Sequence, residues 1–188
     1  MLKKIKKVAA ITTMLCLLGA NTVFAADPTA GVTGEATATI ENLAVANFSA
    51  VMLDGITKTT TAAVTDMALI DARGTGDGWS VSLDATQFIN ATAENPTLNT
   101  LPFDSLELGT VSIVAGTDST PITNITTIST GTIDNVSGVN ILSAPINEGM
   151  GTYTISLDPM TLTLLPKDAK AGVYTSTVTA TLAQGPVI

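Results

Sequence analysis

The chain has no histidine at all, and its single cysteine, Cys16, sits inside the first apolar run. Those two absences remove the usual general base of Ser-His-Asp and Cys-His catalysis, together with the nitrogen and sulfur ligands that zinc prefers. Disulfides are excluded beyond Cys16. Small secreted animal domains usually carry them, so the pattern fits a bacterial exterior better. Aromatic residues are scarce, with one Trp, two Tyr and four Phe, which leaves little to line a sugar-cleaving cleft. Two carboxylates about 5 to 9.5 Å apart would be needed for glycoside hydrolysis, and none of the sixteen acids stands in a context that singles it out. The reading is a non-catalytic protein without a cofactor, and a carboxylate-dependent glycosidase is kept only as an alternative.

Long apolar runs are also missing, apart from Val8 to Gly19, which is too short for a relaxed membrane span. Lys3, Lys4, Lys6 and Lys7 precede that run and Val23-Phe24-Ala25 closes it. This is the pattern of a secretory signal peptide over residues 1–25, with cleavage after Ala25 or Ala26. Leu15 before Cys16 is not the small residue that lipid attachment needs. Residues 26–188 are read as one domain, large enough to bury roughly 68–70% of its unfolded surface. Four of the eight basic residues precede Ala26 and all sixteen acids follow it, so this part carries a formal charge of −12. That sign disfavours nucleic acid and anionic lipid as partners, and no membrane span is expected in the mature chain. The Asn-x-Ser/Thr patterns opened by Asn47, Asn90, Asn124 and Asn135 are read as turn and strand residues.

What the chain has in quantity is period-two alternation with threonine as the polar partner. Tyr174 to Leu182 places Tyr174, Val178, Ala180 and Leu182 on one face and threonines on the other. Trp79 to Ala85, Tyr153 to Leu157 and Met160 to Leu164 repeat the pattern, the last two joined by a turn at Asp158-Pro159. Further strands are expected at Glu35–Ile40, Leu43–Phe48, Lys58–Val64, Met67–Asp71, Leu106–Val114 and Gly138–Ser143, with a loop from Ala91 to Pro102. Branched Cβ atoms favour the pleated, half-buried surface of a sheet, and no stretch beyond the signal carries a helical apolar stripe. The expected fold class is all-β, a single antiparallel β-sandwich-like domain.

The stretch IDARGTGDGWSV, Ile70 to Val81, concentrates glycine, charge and the lone tryptophan. As a calcium loop starting at Asp71 it would place Arg73 at a ligand position, where a cation repels it. As a phosphate cradle it lacks the following Lys-Ser/Thr and the helix. The preferred reading is a tight connection between the antiparallel strands Met67–Asp71 and Trp79–Phe88, with glycines supplying positive φ. An Asp71–Arg73 or Asp77–Arg73 ion pair would rigidify it by about 0 to 1 kcal/mol if exposed. A local Ca²⁺ site using Asp71, Asp77 and backbone carbonyls is the alternative. For Trp79, core packing and ligand contact both stay open.

The run Asp71 to Val81 with Leu83 and Phe88, the segment Gly149-Met150-Gly151-Thr152-Tyr153, and Lys170 to Leu182 with Gly185-Pro186 occur in an order that resembles the WxL domain of Gram-positive surface proteins. The resemblance implies a β-rich surface domain attached non-covalently to the cell wall through peptidoglycan, or a partner surface protein, in a secreted protein. Relatives carry two Trp-x-Leu signatures. Here the first reads Trp79-Ser80-Val81 and the second Ala180-Thr181-Leu182. The resemblance makes Trp79, Val81, Leu83, Tyr174 and Leu182 candidates for wall or partner contact. A self-assembling surface-layer or fibre subunit, pairing through unprotected strand edges, is the alternative from a different class.

Overall fold

The computed structural model describes residues 30–96, 99–128 and 130–186. The expected signal peptide and Cys16 lie outside the described residues. Every strand belongs to the unit that begins at Thr33. In chain order the strands are β1 (Thr39–Glu41), β2 (Lys58–Ala62), β3 (Met67–Asp71), β4 (Trp79–Ala85), β5 (Ile89–Asn90), β6 (Leu106–Glu107), β7 (Val111–Ala115), β8 (Thr126–Thr127), β9 (Val139–Ala144), β10 (Gly151–Leu157), β11 (Met160–Leu164), β12 (Tyr174–Thr175) and β13 (Val178–Gln184). No α-helix occurs among the described residues, and a 3-10 turn spans Ile122–Asn124. The fold is all-β, and all strand pairings are antiparallel, as the threonine alternation requires.

The sheets run β1-β3-β10-β7, β2-β11-β6, β12-β5 and β13-β4-β9-β8. Among the described residues β8 with β9 is the one pairing of strands adjacent in sequence. The glycine-rich connection and the turn at Asp158-Pro159 each join strands of different sheets, so they are corners. β3 pairs with β1 and β10, whereas β4, across the glycine stretch, pairs with β13 and β9. At Asp158-Pro159 the chain passes from β10 in one sheet to β11 in another.

The physical reason lies in ribbons that bend as a unit. β10 continues into β11, and the strands beside them make the same turn, with β7 against β10 and β6 against β11. The single expected strand Leu106–Val114 is therefore split in two. Gly109 occupies the inside of that bend, where a Cβ would run into the Asp158 carbonyl, and the Asp158 N–H bonds to the Thr110 carbonyl at 2.9 Å. A second ribbon, β4–β5 against β13–β12, bends where the expected strand Tyr174–Leu182 breaks at Ser176-Thr177. There the Thr177 N–H bonds to Thr86 Oγ1 at 2.9 Å and the Thr86 N–H to the Thr177 carbonyl at 3.0 Å, so a hydroxyl and one backbone bond together carry the pairing across the corner. The expected strand Leu43–Phe48 is reduced to one bridge, Val45 with Val64, and Glu35–Ile40 to the short β1.

One apolar cluster is shared by the sheets. It includes Leu69 of β3, Trp79, Val81 and Leu83 of β4, Ile141 of β9, Ile155 of β10 and Met160 of β11. The two four-stranded sheets meet at Trp79 and Tyr153, whose rings pack edge to face with centroids 5.9 Å apart. Asp134, fully buried, accepts the backbone N–H groups of Ser105 and Leu106, both at 3.0 Å, and so places β6. Gly109→Ala is expected to lower stability by about 1–3 kcal/mol, because a methyl group must be forced into a closed corner. Urea denaturation followed through the fluorescence of the single tryptophan measures it, and an unchanged midpoint would contradict this account of the bend.

Candidate functional site

The glycine-rich stretch leaves β3 at Asp71 and turns the chain across the core to Trp79. Gly74, Gly76 and Gly78 have φ of 68°, 69° and 73°, a region in which a side chain is strained. Gly78 also lies so close to the Ala144 and Pro145 carbonyls that a Cβ would collide with them. Residue 76 is tied across the molecule, its carbonyl accepting the Asn147 N–H at 2.6 Å.

Inside this connection Arg73 Nε donates to Asp71 Oδ1 at 2.9 Å and Nη2 to Asp71 Oδ2 at 2.8 Å. Nη2 also donates to the Gly78 carbonyl at 2.8 Å, and the Arg73 backbone N–H to Asp71 Oδ1 at 3.2 Å. Both residues are buried, Asp71 3% and Arg73 6% exposed. Of the two ion pairs considered from sequence, Asp71–Arg73 forms, and it is a buried, two-pronged clamp rather than a surface pair, since the loop folds inward against the connection between β9 and β10. Burial pushes the Asp71 carboxyl up, but the Arg73 hydrogen bonds and charge outweigh it and hold the group below the usual carboxylate range. The same bonds from Asp71 raise Arg73 further despite its desolvation. Asp77 stays exposed; hydrogen bonds from Thr75 and Gln184 hold its carboxyl below the ordinary value.

Trp79 follows directly and is fully buried. Its Nε1 donates to the Gly149 carbonyl at 2.8 Å. Gly149 has φ 76°, and a Cβ there would run into the indole. Asp71, Arg73, Gly78, Trp79 and Gly149 therefore form one fitted unit.

Val81 and Leu83 continue the buried face of β4 and, like Trp79, show no exposed surface. Leu182 lies opposite Val81 on β13, and Ala180 opposite Leu83; both are half-buried, because β13 is the edge strand of its sheet. Tyr174 is separate from this group. It sits on β12 and lines an apolar groove of about 990 Å³ between residues 43–53 and 169–178. Phe48 and Phe88 meet edge to face at 5.9 Å in its wall, and the Tyr174 hydroxyl accepts the Lys170 N–H at 2.9 Å. The lining contains one cation, Lys170, and no acid. A second, smaller pocket of about 200 Å³ opens beside the clamp, lined by Arg73, Trp79, Thr37, Leu182 and Gln184. Sequence reasoning missed Thr37, Phe48 and Gln184, since none belongs to a local motif and each is brought in by a distant strand or loop. Among the described residues no group of three or more acids, histidines or cysteines converges as a metal site, and no helix is long and apolar enough to cross a membrane.

These features define an all-β domain built around a buried glycine, arginine and tryptophan unit, with a groove and a small pocket opening on its exterior. The family model described as WxL domain, surface cell wall-binding, matches residues 32–186, and the chain belongs to that family. No curated protein and no solved structure matches the chain.

Removing one partner of a buried ion pair leaves an uncompensated charge, which costs about 3–5 kcal/mol. Asp71→Asn is expected to fall in that range. Because the folded-state pKa of Asp71 lies below its unfolded value of about 3.9, the clamp's pH-dependent contribution is complete above that value and drains away as pH falls through the folded one. Wild-type stability should therefore drop more steeply below about pH 4 than that of Asp71→Asn. Urea titrations at several pH values test this, and parallel profiles would refute it.

Proposed function

We propose that this protein is secreted and held non-covalently at the wall of a Gram-positive cell, by peptidoglycan or by a partner surface protein, and that it acts by binding rather than catalysis. The family match across residues 32–186 carries the reading. The formal charge of −12 over residues 26–188 means that adsorption to anionic wall polymers cannot rest on simple electrostatics. Contacts must come from apolar and hydrogen-bonding surface. Of the sequence candidates, Tyr174 and Leu182 retain exposed surface, and Tyr174 has the larger opening beside it, rimmed by the exposed Met52 and Val173. Trp79, Val81 and Leu83 contribute by holding β4, on which β13 rests.

Purified protein is expected to pellet with Gram-positive sacculi, and Tyr174→Ala to weaken this about tenfold, the scale of an aromatic contact residue, with circular dichroism unchanged. Pelleting that is undiminished in the folded variant removes the groove from the contact surface. Failure of the wild type to pellet at any salt removes direct wall binding.

A second reading, self-assembly into a surface layer or fibre, is favoured by β13, a seven-residue edge strand without charge or proline. Light scattering of the concentrated protein decides it. Assembly that Thr181→Lys abolishes supports pairing through this edge, and a strictly monomeric protein excludes it.

A further inference from the structure

The small pocket beside the clamp holds an unused donor. Arg73 directs Nε and Nη2 at Asp71 and Gly78, which leaves Nη1 on the opposite edge of the rigid planar fork with two N–H groups. Among the described residues Nη1 has no hydrogen-bond partner, although the side chain is only 4% exposed. Nη1 is not among the buried polar atoms that lack a partner, so this pre-oriented donor is open to the pocket, which has Trp79 beside it, the apolar Leu182, Ala38 and Ala183 around it, and the exposed Thr37 and Gln184 at its rim. Gln184 is itself oriented, because its Nε2 donates to Asp77 Oδ2 at 2.9 Å, which leaves Oε1 as an acceptor.

The charge around the pocket selects the class of ligand. Asp71 already neutralises the guanidinium, Asp77 stands nearby, and residues 26–188 carry −12. An anion entering here would meet net negative charge, whereas a neutral oxygen would not. About 200 Å³ is below the usual range of about 300–1,000 Å³ for drug-sized ligands, so the pocket accommodates one small group of a larger molecule. We infer that this pocket is a subsite for the acetamido group of an N-acetylated sugar, its carbonyl oxygen received by Arg73 Nη1, its N–H by Gln184 Oε1, and its methyl group by Leu182 and the neighbouring alanines. The assignment of this sugar to the wall rests on the wall-binding reading above; the pocket's chemistry does not.

The test is a titration of the isotope-labelled protein with N-acetylglucosamine, followed by NMR at the Arg73 side chain and the Trp79 indole N–H, with glucose and acetate as controls. N-acetylglucosamine is expected to shift both signals with millimolar affinity, the range of a single small contact. Glucose and acetate should leave them in place, and Gln184→Ala should weaken the effect severalfold without touching the clamp. Filling the mouth by Ala38→Trp should abolish it. Shifts with acetate would make this an anion site and overturn the inference, as would silence at Arg73 from a protein that still pellets with sacculi, an outcome that leaves wall binding itself intact. Shifts at Arg73 from a protein that does not pellet would uphold the pocket and remove the wall.

Discussion

The buried clamp between Arg73 and Asp71 is the constraint on which the rest depends. A guanidinium in the interior costs much unless its charge is paired and the donors turned inward are met, and here one carboxylate and one carbonyl, that of Gly78, meet the three on Nε and Nη2. Holding that carbonyl fixes the chain just before Trp79. The indole is thereby set edge to face against Tyr153 and bonded to Gly149, which joins β4 of one sheet to β10 of the other. Three glycines make the path sterically open, and the ion pair makes it single-valued.

Around that point the sheets are joined by bending ribbons rather than by hairpins. Strands distant in sequence travel together through a corner, as β10–β11 does with β6–β7, and β4–β5 with β13–β12. Such a fold must close long loops before its contacts reward it, which slows folding. The same architecture gives the surface its features. The corner at Ser176-Thr177 separates Tyr174, in the groove, from Leu182, beside the small pocket, although a continuous alternation runs through both.

The two Trp-x-Leu positions have different fates for a physical reason. Trp79 is on a central strand with neighbours on both sides and is wholly enclosed. Ala180 is on the edge strand, half-buried, where the covering sheet is incomplete. The first position builds the core, while the second lies on the face that the groove and the pocket approach from opposite ends, through Val178 and Leu182.

The all-β class, the antiparallel character, most strand positions and the inward face of β4 were legible in the residues alone, because branched side chains alternating with threonine have one way to bury an apolar face. The same local reading marked Asp71 to Trp79 as the unusual stretch and carried the family resemblance. The burial of Asp71 and Arg73, the corners at Asp158-Pro159 and the glycine stretch, and the approach of Thr37 and Gln184 to Arg73 emerged with the folded chain. Pairing partners and burial depend on residues scores of positions away, such as Gly149 beneath Trp79 or Thr86 against Thr177, and local periodicity carries no information about contacts at that range.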